Sequence, residues 1–202
     1  MLLEVQFNKT KFKQLVLYIC ANCPPDQLGA VKLNKVLYFA DMMKFAGTGS
    51  PLTGARYRKR PYGPTTDALL PTLRELERED AIHIEEMNYF GYRKKVYIPI
   101  SAPDTTIFNE SDLQLIDDII AFVCHNNTAK TISELSHNKA WELAEPSAEI
   151  PYHTAYYLFP SLVSEETREW ASKEAGAIEL DDERRPKVDH MSMHDFRRKM
   201  EA

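Results

Sequence analysis

Phe12, Leu15, Val16 and Ile19 recur at i, i+3, i+4 and i+7, the spacing of one helix face. This predicts an amphipathic helix from about Lys9 to Ala21, closed by Asn22-Cys23-Pro24-Pro25. Leu33, Val36, Leu37 and Ala40 repeat the pattern after Gly29, Tyr38 and Phe39 widen the stripe, and Gly47-Thr48-Gly49-Ser50-Pro51 ends it. Leu69, Leu70, Leu73 and Leu76 predict a third helix, with Pro71 either kinking it or sitting in its first turn. The period then changes to two. Ile82 and Ile84 alternate with His83 and Glu85, and Val96, Ile98 and Ile100 alternate beyond Gly91, so residues 81–100 read as a β-hairpin. Leu113, Ile116, Ile120 and Val123 line a fourth helix, for which Ser111 and Gln114 suggest a capping box. Thr131 and Glu134 suggest the cap of a short fifth helix ending near His137, and Ser164 to Ala175 reads as a last core helix closed by Gly176.

The expected fold class is therefore mainly α (α+β): a compact domain of about five to seven helices with one antiparallel β-hairpin, over residues 1–176. Residues 177–202 are polar and charge-dense, and read as a mobile tail. The chain has 202 residues, 44% of them hydrophobic. That is enough to bury about 70% of its unfolded surface without staples. Three cysteines (Cys20, Cys23, Cys124) are few and odd in number, which argues against an oxidised framework. Lys9, Lys11 and Lys13 before an apolar run imitate a signal peptide, but the run is short and one-sided. No stretch approaches a membrane span, so a cytoplasmic protein is expected. The net charge of −5 hides an asymmetry: residues 1–100 carry a net +5 and residues 101–202 a net −10. A charged partner is implied, either nucleic acid or a protein.

Candidate chemistry is sparse. Cys20-Ala21-Asn22-Cys23 follows a helix rather than a strand, and Cys124-His125 offers no second ligand pair, so neither a redox motif nor a metal site is expected. The histidines lack helical ligand spacing, and no nucleophile elbow or phosphate-cradling glycine loop occurs. Adjacent acids such as Glu85-Glu86 and Asp117-Asp118 diverge on any regular element. No enzyme activity, cofactor or metal is expected. Arg56-Tyr57-Arg58-Lys59-Arg60 is the densest basic cluster and would suit phosphate contacts, or else a loop paired with the chain's own acids. If it forms a strand, Tyr57 packs on a core edge. A wing-like hairpin after helices suggests duplex DNA, but the segment after His137 is acidic, a poor recognition helix.

Val31-Lys32-Leu33-Asn34-Lys35-Val36-Leu37-Tyr38-Phe39-Ala40-Asp41, followed by a segment ending in Tyr62-Gly63-Pro64, resembles the Panacea domain of the SocA-like antitoxin family. Leu135-Ser136-His137 and Trp141 resemble that family's later L-S-H…W stretch. The chain departs from the family in carrying Arg60-Pro61 where many members have a Trp before the Y-G-P. The resemblance implies an antitoxin that neutralises a cognate toxin protein by direct binding. Alternatives are an adaptor that delivers the toxin to a cellular protease, or a DNA-binding regulator. On this reading Lys32, Lys35, Tyr38, Arg56, Tyr57, Arg58, Arg60 and Tyr62 are the partner-binding candidates. Leu33, Leu37, Gly63, Pro64, His137 and Trp141 are the structural motif, with Pro64 expected to open the next helix. Read architecturally, Tyr38, Tyr62 and Trp141 lean towards core rather than interface. The acidic half and the segment after Gly176 offer a second candidate surface.

Overall fold

The structure, a computed structural model, describes residues 5–89 and 91–158. Helix α1 (Lys9–Asn22) begins where the Asn8 side chain accepts the Lys11 amide at 2.9 Å, and it buries Phe12, Leu15, Val16 and Ile19, the stripe its spacing predicts. Helix α2 (Ala30–Thr48) is different: Leu33, Val36, Leu37, Tyr38, Phe39, Ala40 and Met42 are all buried, right around its circumference. A helix that is apolar on every side has no solvent face to assign, and belongs at the centre. It packs against α1 and against several of the later elements. Gly49, in the left-handed conformation (φ 74°), ends it with its N–H on Phe45 O.

Helix α3 (Leu69–Arg78) holds Pro71 in its first turn, where the missing N–H costs nothing. Strands β3 (Ile82–Tyr89) and β4 (Tyr92–Pro99) form the predicted hairpin, with Ile82 opposite Pro99 and Ile84 opposite Tyr97. The hairpin packs through β3 on α3 and through β4 on α1. Helix α4 (Glu110–Ile120) buries Ile116, Ile119 and Ile120 and unwinds into one π turn over Ala121–His125. Its cap is Asn109, which accepts the Asp112 amide at 2.8 Å, not the Ser111–Gln114 box expected from spacing. Asp112 is buried between Lys11 of α1 and Lys44 of α2, at 3.2 and 2.7 Å. Burial pulls its pKa up, but hydrogen bonds from the two ammonium groups outweigh that and hold it below the ordinary value. Helix α5 (Ala129–Leu135) is capped by Thr128 with Thr131 in a reciprocal box, three residues earlier than the expected Thr131–Glu134 cap. Asn138 caps the short α6 (Lys139–Leu143).

Of a second sheet the sequence offers only the conditional strand at 56–60, and there Tyr57 is buried as that reading implies. Strands β1 (Tyr57–Arg58), β2 (Thr65–Thr66) and β5 (Glu149–Ile150) pair antiparallel in the order β2-β1-β5. Two residues are too few to display a period, and Tyr57 finds its partner Ile150 far along the chain. The fold class stands as expected: mainly helical, with small antiparallel sheets. Among the described residues no helix is long and apolar enough to cross a membrane. The expected helix at 164–175 and the tail from 177 lie outside the described residues.

Candidate functional site

The turn Arg60-Pro61-Tyr62-Gly63 leaves β1 and returns to β2. Gly63 N–H donates to Arg60 O at 2.9 Å, with Pro61 at the second position where its fixed φ fits. Gly63 lies in the left-handed region at φ 89°. It is also crowded: a Cβ there would overlap Ser136 Oγ and stand 2.6 Å from Lys35 Nζ. A glycine is therefore needed twice over, for its backbone and for its missing side chain.

Three elements grip this turn from within. From α2, Lys35 is fully buried and its Nζ donates to Pro64 O at 3.0 Å. From the end of α5, Ser136 Oγ donates to Ser133 O at 2.7 Å and closes over Gly63. From α6, Trp141 Nε1 donates to Arg60 O at 3.1 Å. The His137 ring stacks on Trp141 at 3.9 Å, and Lys59 Nζ lies 4.3 Å from the Trp141 ring centroid while donating to Ala144 O at 2.9 Å. What the grip leaves outside is Tyr62, 71% exposed.

The partner-binding candidates thus divide. Lys32, Lys35, Tyr38 and Tyr57 are interior residues, so the basic-aromatic patch expected on α2 is not a surface. Their i, i+3 spacing does place Lys32, Lys35 and Tyr38 on one face, but that face is turned inward. Lys32 Nζ donates to Cys124 O at 2.8 Å, and Tyr38 stacks edge-on against Tyr57 at 5.3 Å. Arg58 and Arg60 are half-buried and share Asp67, at 2.8 and 3.6 Å. Arg56 and Tyr62 are exposed. Of the structural residues, Leu33 and Leu37 are core, and His137 and Trp141 support the turn. Pro64 does not open a helix: it leads into β2, and its carbonyl serves as the acceptor for Lys35.

Burial lowers the Lys35 pKa to about 7. Burial, and then the positive charge of Lys35, also hold His137 below its ordinary value. With an unfolded value near 10.5, the unfolded chain binds more protons than the fold between about pH 7 and 10, so this residue makes stability rise with pH there. Lys35→Met removes the titration and leaves Pro64 O unpaired. The difference in unfolding free energy between wild type and Lys35→Met should therefore shift by about 1 kcal/mol per pH unit in favour of wild type between pH 7 and 9. Urea unfolding at several pH values measures it, and parallel curves would exclude a buried, titrating Lys35.

One residue of weight carries no role in the sequence reading. Asp41 of α2 is fully buried, and it accepts from Thr53 N at 2.5 Å, Thr53 Oγ1 at 2.6 Å, Tyr57 Oη at 2.7 Å and Gly54 N at 3.4 Å. Burial holds its pKa above the ordinary carboxyl value, although these donors pull against it. The hub fixes the chain that enters β1, and therefore where the turn begins. A lone carboxylate inside the apolar run Leu37-Tyr38-Phe39-Ala40-Asp41 is the signal that was available.

Among the described residues, no group of three or more His, Cys, Asp or Glu is placed to hold a metal ion. The arrangement displays one aromatic side chain on a stiff base. No curated protein and no solved structure matches the chain. A family model, antitoxin SocA-like, Panacea domain, matches residues 33–142, a span that opens on the α2 motif and closes just past Trp141. With more than half its length matched, and both motifs meeting under one turn, the chain belongs to the SocA-like antitoxin family as a Panacea-domain protein.

Proposed function

We propose that this protein is an antitoxin that acts in the cytoplasm by binding a cognate toxin protein directly, with the Tyr62 turn as the centre of contact and no chemistry of its own. The observation that carries this reading is convergence. Lys35, Gly63, Pro64, Ser136 and Trp141 come from separate parts of the matched span and hold one turn, whose tip is the exposed Tyr62. A tyrosine immobilised at its backbone loses little entropy on binding, and Tyr and Arg dominate interface hot spots. The basic cluster favours a protein over nucleic acid as partner, since Arg58 and Arg60 already pair with Asp67, and Lys59 with backbone carbonyls.

Tagged protein should co-purify with the product of the adjacent gene, and co-expression should restore growth. Tyr62→Ala should weaken that complex about 30-fold, a hot-spot loss of about 2 kcal/mol, with thermal unfolding unchanged. Undiminished binding by Tyr62→Ala would move the contact elsewhere on the molecule. Growth rescue without a stable complex, lost when a cellular protease is removed, would replace neutralisation with delivery for degradation.

A further inference from the structure

A groove of about 520 Å³ lies between α3, the hairpin, β2 and the first turns of α2. That is within the roughly 300–1,000 Å³ of ligand-binding clefts. None of the residues that grip the Tyr62 turn lines it. On α3, Leu70, Leu73, Arg74 and Glu77 fall at i, i+3, i+4 and i+7 and form one wall. On the hairpin, Ile84 stands opposite Tyr97 and Glu86 opposite Lys95, so these four share one sheet face and form the other wall. Strand β2, at the edge of its sheet, also lines the groove, with the Thr66 N–H donating to Asn34 Oδ1 at 3.4 Å.

The spacing of Leu69, Leu70, Leu73 and Leu76 predicts one apolar stripe, but the fold divides it. Leu69, Leu73 and Leu76 are buried, whereas Leu70 is 50% exposed and lines the groove together with Leu73, Tyr97 and half-buried Ile84. A lone exposed leucine is ordinary surface, but one set in a concave apolar lining is surface that a partner can cover. The rim is charged and exposed at Arg74, Glu77, Glu86 and Lys95. Glu86 has Arg93 at 3.9 Å, while among the described residues Arg74, Lys95 and Glu77 form no ion pair. The uncompensated charge is therefore positive, with a cation on each wall and a single carboxylate, Glu77, against them.

We propose that this groove docks an acidic, apolar segment of a partner protein. A large apolar side chain of that segment covers Leu70, Leu73, Ile84 and Tyr97, and carboxylates on either side of it meet Arg74 and Lys95. Cations on both walls of an apolar trough favour acids that flank a leucine or phenylalanine, and they reject a basic segment by like-charge repulsion. An apolar anchor in a depression, ringed by polar groups, is also the arrangement in which binding energy concentrates. Nucleic acid fits less well. Its evenly negative backbone would meet Glu77 and Glu86 as well as the cations, and its phosphates bring nothing apolar to the floor.

The test offers the immobilised full chain a displayed library of random short peptides, and then measures the enriched peptides by fluorescence anisotropy. The expected pool carries a large apolar residue flanked by glutamate or aspartate. Leu70→Asp and Arg74→Glu, both at exposed positions, should each weaken these peptides about tenfold or more, with thermal unfolding unchanged. Exchanging the peptide's acids for lysine should abolish binding to wild type and restore it to the double variant Arg74→Glu, Lys95→Glu. Tyr62→Ala should bind the peptides as wild type does, which separates this groove from the Tyr62 contact. No enrichment over Leu70→Asp, a pool of basic peptides, or peptides lost with Tyr62→Ala would each overturn the assignment. So would an oligonucleotide that binds in place of the peptides and is lost with Arg74→Glu.

Discussion

Asp41→Asn is expected to cost about 3 kcal/mol of unfolding free energy, seen as a melting temperature lower by roughly 6–12 °C. The Asp41 carboxylate has no solvent exposure and accepts from donors on Thr53, Gly54 and Tyr57. A carboxylate offers only acceptors, so every one of these contacts is favourable. Asparagine presents one oxygen and one NH2 group. Turned with its oxygen toward the Thr53 and Gly54 amides, it sets its NH2 against the Thr53 and Tyr57 hydroxyls. Tyr57 can still donate to Leu37 O at 2.8 Å, but the Thr53 hydroxyl gives up the Asp41 oxygen it donates to, and every bond to a carboxylate becomes one to a neutral amide. Hydrogen bonds to a charged group contribute about 1.5–3 kcal/mol each, and an orphaned buried donor adds its own desolvation cost. Against a total stability of about 5–15 kcal/mol this is a large fraction. The residue change is nearly isosteric, so packing does not explain a loss of that size. Equilibrium unfolding of both proteins measures it. A change below about 1 kcal/mol would mean that the hub contributes little and that β1 is held by its strand partners alone.

Gly63→Ala is expected to cost about 2–5 kcal/mol and, on the proposed function, to weaken toxin binding more than Tyr62→Ala does. Two separable effects act here. An alanine at φ 89° is strained whatever surrounds it, by about 1–2 kcal/mol. The new methyl must also displace Ser136 Oγ and the Lys35 ammonium, which lies 2.6 Å from its position. That overpacking adds about 1–3 kcal/mol and pushes the turn off its base. Gly49→Ala is the control: Gly49 also has positive φ, 74°, but nothing stands within 4 Å of a Cβ there. It should show the backbone cost alone and leave binding intact. Adding Ser136→Ala to Gly63→Ala should recover part of the stability, a coupling that a double-mutant cycle reads directly. Equal costs at Gly63 and Gly49 would mean that Gly63 is required only for its backbone.

Local signals translated faithfully where the physics is local. The stripe of α1, the alternation of the hairpin and the place of Pro71 depend on residues a few positions apart, and the structure repeats them. Caps were near misses: Asn109 and Thr128 take the roles expected of Ser111 and Thr131, because several hydrogen-bonding residues in a row can each serve. Strands β2 and β5 have no signal in the sequence and β1 only a conditional one, since their pairing is set by partners rather than by their own pattern.

The sequence by itself determined that this is a mainly helical protein with a hairpin, and it carried the two motifs that identify the family. It also marked Gly63 and Tyr62 as parts of a turn. What it could not determine is which way the residues of α2 face. A helix that is apolar all round has no period to orient it, so Lys32, Lys35 and Tyr38 read as a surface patch when their face is interior. Burying an ammonium is unfavourable unless an acceptor waits for it, and for Lys35 that acceptor is the carbonyl of Pro64, brought there by the fold. Only the tertiary structure supplies it. The same holds for Tyr62, whose exposure follows from everything packed beneath its turn.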